Sequence, residues 1–166
     1  MRHQKDIHTL SILVVNKPGV LVRVAQVFAR RGYNIDALVV SPGVHPKFSR
    51  MTITAQGDPG TLEQIIKQTA KLIDVIHVSE HTGIDSIDKE FALLKLRSTQ
   101  QTKKSLVKLI KKYDAKIVHD DNNRLIIEQA GTTKQLDELE GMLKKYGIIE
   151  MVRSGKLVIA KGREQT

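Results

Sequence analysis

A chain of 166 residues, 40% of them hydrophobic, has room for one ordinary domain or two small ones and enough apolar side chain for a core. The absence of cysteine excludes a disulfide framework, a thiolate metal site and a cysteine nucleophile. No apolar run approaches the length of a membrane span, and the start, MRHQKDIHTL, lacks a signal-peptide core, so a cytoplasmic protein is expected. The net charge of +9 raises nucleic acid or an acidic partner. The excess is spread, however: residues 1–83 carry 10 Lys/Arg against 6 Asp/Glu, and residues 84–166 carry 17 against 12. The densest run, Lys103 to Lys116, interleaves with Leu106, Leu109, Ile110 and Tyr113, the pattern of a solvated helix face.

In chain order, residues 7–15 predict a strand. A helix follows, entered through Asn16-Lys17-Pro18-Gly19 and closed by Gly32, with Leu21, Val24, Ala25 and Phe28 as its apolar stripe. Pro18 suits its first turn. Residues 33–40 and 50–55 read as strands by alternation and β-branching, joined by the long loop SPGVHPKFS. A second helix starts at Asp58 as cap and Pro59 in the first turn, with Leu62, Ile65, Ile66, Thr69 and Ile73 on one face. Residues 74–79 are the fourth strand.

The second half repeats the plan. Strands are predicted at 90–97, 115–119, 124–129 and 148–152, with helices at 102–113 and 133–145, and Lys156–Ala160 extends the last strand. Asp120-Asp121-Asn122-Asn123 supplies turn chemistry for a hairpin. The helix stripes align at an offset of 85 residues (Leu21 with Leu106) and then of 74 (Leu62 with Leu136), so the second half has lost 11 residues, most economically from the hairpin loop. The expected fold is α+β: two tandem ferredoxin-like βαββαβ domains, 1–83 and 84–166, split in the Gly/Ser/Asp linker at 82–88. Such sheets carry both helices on one face. In the first half the other face takes Thr9, Ser11, Arg50, Thr52 and Thr54, which suggests a solvated surface.

No P-loop, GxGxxG or GxSxG motif is present. His77 and His81 fall in and after a strand, His119 opens a turn, and His45 sits in the loop between Pro42 and Pro46, so none forms a metal or catalytic pattern. The acids are scattered. A common RNA-binding module shares this element order, but it stacks bases on aromatics of its central strands. Here the third strands read SRMTITAQ and NRLIIEQA, without an aromatic, so no nucleic acid is expected.

What remains distinctive is the Pro-Gly entrance of the first helix. Open backbone N–H groups there fit either a tight strand-to-helix connection or an anion such as an amino-acid carboxylate. Asn16 offers an amide to the carboxylate or ammonium, as does Asn34, and Val20, Leu21 and Ile35 offer an apolar wall. Each Asn alone is equally at home as a cap or turn residue. Asn16 and Asn34 lie at opposite ends of one helix, about 20 Å apart at 1.5 Å per residue. A symmetric dimer brings Asn16 of one copy to Asn34 of the other.

The segments NKPGVLVRVAQVFARRGYNIDALVV, SRMTITAQGD, LEQIIKQTAKLIDVIHVSE, QAGTTKQLD and VRSG resemble the small regulatory subunit of acetolactate synthase over nearly the whole chain. The first half resembles an ACT domain, an amino-acid-binding βαββαβ module that dimerises. The resemblance implies a noncatalytic chain with no cofactor of its own. Its partner would be a large subunit carrying thiamine diphosphate, magnesium and FAD, which it activates and subjects to feedback inhibition by a branched-chain amino acid, usually valine. It also implies an effector site at Asn16, Gly19, Val20, Leu21, Asn34 and Ile35, and a homodimer through the ACT domain. Two other classes stay open at this point: an RNA-binding module, and a free-standing ACT sensor of another enzyme.

Overall fold

Alternating strands and amphipathic helices assemble into two βαββαβ repeats, as seen in the computed structural model, which describes residues 6–81, 85–121, 123–162 and 166. The first repeat runs β1 (Asp6–Val15), α1 (Val20–Arg30), β2 (Ile35–Pro42), β3 (Phe48–Gly57), α2 (Pro59–Thr69) and β4 (Val75–Glu80). The second runs β5 (Ser86–Arg97), α3 (Gln100–Lys112), β6 (Lys116–Asp120), β7 (Arg124–Gly131), α4 (Thr133–Leu143) with a 3-10 turn at Lys144–Tyr146, and β8 (Ile148–Arg153). A short strand, β9 (Leu157–Ala160), ends the order. Both sheets are antiparallel, β2-β3-β1-β4 and β6-β7-β5-β8, the connectivity of the ferredoxin-like fold.

Each sheet buries one face under its helices. In the first, Leu10, Ile12 and Val14 of β1 and Met51 and Ile53 of β3 are at most 2% exposed. Every such side chain contributes about 1.5–3 kcal/mol relative to solvent exposure. The second core repeats this with Leu94, Leu96, Leu125 and Ile127. The residues of α1 that reach the core are Val20, Val24, Val27 and Phe28, whereas Leu21 of the expected stripe is 40% exposed. The helix is turned so that Val24 and Phe28, not Leu21, take the places of Leu106 and Ile110 of α3, each pair ending four residues before a left-handed residue, Gly32 and Asp114. It also starts later than expected: Gly19 is the N-cap, and Pro18 lies before the first turn. The second expected stripe is shortened at its far end, because α2 stops at Thr69 and Ile73 is 92% exposed.

The chain divides into two compact units, 1–88 together with 155–166, and 89–154. The end of the chain therefore groups with the first half, not the second. As expected, the last strand resumes after the break at Ser154-Gly155: β9 pairs with β5, the same strand that β8 pairs with, and the Lys161 N–H donates to the Asp85 carbonyl. The chain returns through Gly155, at φ +76, where a Cβ would lie 2.8 Å from the Ala37 Cβ. Ala37 stands opposite Thr54, and Thr54 opposite Thr9, on the helix-free face of the first sheet. That face is not solvated: Thr9, Ser11, Thr52 and Thr54 are all buried. The Arg50 Nη1 donates across it to the Ser11 hydroxyl at 3.1 Å.

Candidate functional site

Among the described residues, three of the four α-helices have closed entrances. Asp58 Oδ1 accepts from the Thr61 N–H at 2.8 Å ahead of α2, and capping boxes at Thr99 and Thr132 close α3 and α4. The entrance of α1 is different. Its N-cap is Gly19 in the left-handed region, φ +83, with no side-chain cap. The first helical bond runs from Arg23 N–H to the Gly19 carbonyl, so the N–H groups of Val20, Leu21 and Val22 precede it without an intrahelical acceptor. Glycine supplies both the backbone conformation and the uncovered approach.

The surroundings are cationic. Asp74, buried in the turn just before β4, holds Lys17 Nζ at 2.5 Å through Oδ1 and the Arg23 guanidinium through Oδ2. Two cations share one carboxylate, which leaves a positive excess beside the helix N-terminus, where the dipole also favours an anion. The hydrogen bond from Lys17, reinforced by Arg23, holds the Asp74 carboxyl below its ordinary 3.8 against the opposing effect of burial. A depressed folded-state pKa adds stability that is fully present above the unfolded value and is lost as pH falls through the folded one. The thermal midpoint is therefore expected to lose this contribution below about pH 4. In Asp74→Asn that part of the acid-side decline should be absent, measured by melting between pH 2 and 7 against wild type.

Asn16 lies one turn outside the helix. Its N–H donates to the Lys47 carbonyl at 2.7 Å and its Nδ2 to the Pro46 carbonyl at 3.1 Å, tying β1 to the β2–β3 loop. Val20 is buried in the core, so it supports the entrance from below, while Leu21 is on the surface beside it. Asn34 is exposed past the other end of α1, where its Nδ2 donates to Asp36 Oδ1 at 3.0 Å, and Ile35 packs against the first core. The structure thus gathers Asn16, Gly19, Val20 and Leu21 at one end of α1 and leaves Asn34 and Ile35 at the other. Asp74 and Arg23 were missed in the sequence. The signal was topological: antiparallel pairing of Val14 with Val75 puts the start of β4 beside the end of β1.

The histidines do not converge: His8 Nδ1 meets Glu80 Oε1 at 2.9 Å. His77 is exposed, and His81 Nε2 meets the Ser79 hydroxyl at 2.9 Å. Among the described residues no cluster of His, Asp or Glu has metal-binding geometry, and no helix is long and apolar enough to cross a membrane.

Comparison with known proteins accounts for both halves. The family model described as an AHAS small subunit-like ACT domain matches residues 10–77, and that of the small subunit of acetolactate synthase matches residues 89–162. The acetolactate synthase small subunit of Mycolicibacterium smegmatis is 41% identical over 155 residues, covering 93% of this chain and 91% of the relative. A probable acetolactate synthase small subunit of Archaeoglobus fulgidus is 39% identical over 158 residues, 95% and 99% of the two chains. The crystal structure of the acetolactate synthase small subunit of Thermotoga maritima superposes with a TM-score of 0.86 at 32% identity, covering 96% of this chain and 99% of that one. An ACT repeat entered through an open glycine, a second repeat of the same order, and similarity along almost the full length of both chains place this protein in the acetolactate synthase small-subunit family, the regulatory subunits of that enzyme of branched-chain amino acid biosynthesis.

Proposed function

We propose that this chain, in the cytoplasm, activates a large catalytic subunit and makes it sensitive to a branched-chain amino acid, valine first among them, bound at the α1 entrance. Thiamine diphosphate, magnesium and FAD belong to the large subunit, and this chain contributes no cofactor. The observation that carries the effector site is the uncapped Gly19 entrance with Lys17 and Arg23 beside it, where the other three α-helices among the described residues are capped. The effector carboxylate takes the open N–H groups. The exposed Leu21 and, from a second copy, Ile35 and Asn34 enclose the side chain and ammonium. The site is then completed by a homodimer of the ACT domain, since one copy holds these two sets at opposite ends of α1.

The test is reconstitution. The purified chain with pyruvate, thiamine diphosphate, magnesium and FAD is expected to form no acetolactate. Added to its large subunit, it is expected to raise the rate several-fold and to make that rate fall with valine. Turnover by the isolated chain, or a large subunit indifferent to it, would refute the proposal.

A further inference from the structure

The helix-free faces of the two sheets are built in opposite ways. On the first, Thr9, Ser11, Thr52 and Thr54 are polar and buried. On the second, Leu93 of β5 and Val152 of β8 stand opposite one another and are apolar and 38% and 57% exposed. With Ile126 of β7 and the ion pair of Lys95 with Glu150, they line a cavity of about 190 Å³. Open apolar surface rimmed by charge marks an interface.

The charges select the occupant. Alternate residues of a strand share a face, so Arg124 and Glu128 of β7 both stand here, two residues to either side of Ile126. Arg124 is directly opposite Arg97 of β5, a like-charge pair that is destabilising in the free chain. Glu128 stands between Leu93 of β5 and Lys116 of β6. Among the described residues none of Arg97, Arg124, Glu128 and Lys116 takes part in an ion pair. The face therefore carries unpaired cations at one end and an unpaired carboxylate past its middle. It is complementary to itself. Two copies stacked face to face about a two-fold axis have two alignments. With the axis along the strands, each arginine pair meets the other copy's arginine pair. With the axis across the strands at Ile126, Arg97 and Arg124 of each copy meet Glu128 of the other, and the contact is made twice. Lys95 and Glu150, level with the axis, are already satisfied within each copy. Leu93 then lies under the apolar stems of the opposing arginines. Only the second alignment relieves the arginine repulsion and gives Glu128 a guanidinium partner.

We infer that the helix-free face of the second sheet packs on the same face of a second copy, antiparallel across Ile126, with Glu128 of each held by Arg124 and Arg97 of the other. The contact lies within the second unit and is separate from the ACT-domain contact proposed above. The chain has no cysteine, so Ile126→Cys in the full-length protein is a single thiol on the axis. A bismaleimide spanning about 10 Å, the separation of stacked sheets, should join it to its copy. Lys108→Cys, on the exposed side of α3, should stay uncoupled. Adding Arg124→Glu or Glu128→Arg to Ile126→Cys sets like charges together at both contacts, and each should cut the cross-linked yield at least tenfold. Arg124→Glu should melt at or above wild type, because it replaces a like-charge pair by an opposite-charge one. Co-expressed, the two charge variants complement each other at both contacts, and the cross-link should return, which misfolding of either does not mimic. A yield from Ile126→Cys no greater than from Lys108→Cys overturns the contact. A yield that neither charge reversal lowers, or that the co-expressed pair does not recover, overturns the antiparallel pairing and the inference with it.

Discussion

Gly19→Asp is expected to abolish the effector response and leave the protein folded. Burying a valine side chain is worth about 1.5–3 kcal/mol, whereas micromolar binding needs about −8 kcal/mol. Most of the affinity must then come from the charged ends, chiefly the carboxylate at the α1 entrance. An Asp at this position sets a fixed carboxylate over the open N–H groups and cancels the positive excess left by Lys17, Arg23 and Asp74. The fold bears two opposing effects. A non-glycine residue at φ +83 costs about 1 kcal/mol, with Asp among the better tolerated side chains. Its Cβ approaches only the end of the Arg23 side chain, at 3.2 Å, which can move, and a carboxylate at a helix N-terminus is itself favourable. Calorimetry should show valine binding weakened at least tenfold with a thermal midpoint lowered by only a few degrees. The reconstituted synthase should stay active and become valine-resistant. Unchanged valine affinity would remove the site from this helix entrance.

The largest loss of stability is expected in the second repeat, from Arg153→Ala. Glu90 is 5% exposed. Its Oε2 accepts from Arg153 Nε at 3.0 Å and Nη2 at 2.6 Å, and its Oε1 from the Thr133 hydroxyl, while Arg153 Nη1 also reaches Asp137 Oδ1 at 2.6 Å. The network thus joins β5, β8 and the first two turns of α4. Truncating one partner of a buried pair leaves the other charge without compensation and costs about 3–5 kcal/mol. By comparison, the exposed Glu63–Lys67 pair on α2 is screened by solvent and contributes little. Arg153→Ala should lower the midpoint by roughly 10 °C, Arg153→Lys by less, since it keeps the charge and loses the fork, and Lys67→Ala hardly at all. A loss equal to that of Lys67→Ala would show that water reaches the Glu90 carboxylate.

Local chemistry made most of the fold legible in the sequence. Asp58 before Pro59 announced a capped helix and delivered one, and the alternation in RMTITA and RLIIEQ marked the strands that became β3 and β7. The failures have tertiary causes. The α1 stripe is displaced because Val20, Leu21 and Val22 are all apolar, and only packing against the sheet selects Val20. Thr52 and Thr54 read as solvent-facing because threonine serves either face, and the chain that returns past Ala37 lies a hundred residues away in sequence. For the same reason the glycine and the two asparagines of the candidate site were visible, being tied to turns, whereas Asp74, which organises Lys17 and Arg23, was not.

The return of the chain at Gly155 gives the first unit a discontinuous sequence, with the second unit inserted as residues 89–154. During synthesis the ribosome emits the first sheet, then the whole second unit, and only afterwards residues 155–166, which group with the first unit. At about 5–20 residues per second, the interval between Asp88 and Gly155 is several seconds, long compared with the folding of a small domain. The first unit therefore begins folding first and is finished last, so that a nascent chain stalled before residue 155 carries the whole sheet β2-β3-β1-β4 without the returning segment that passes Ala37.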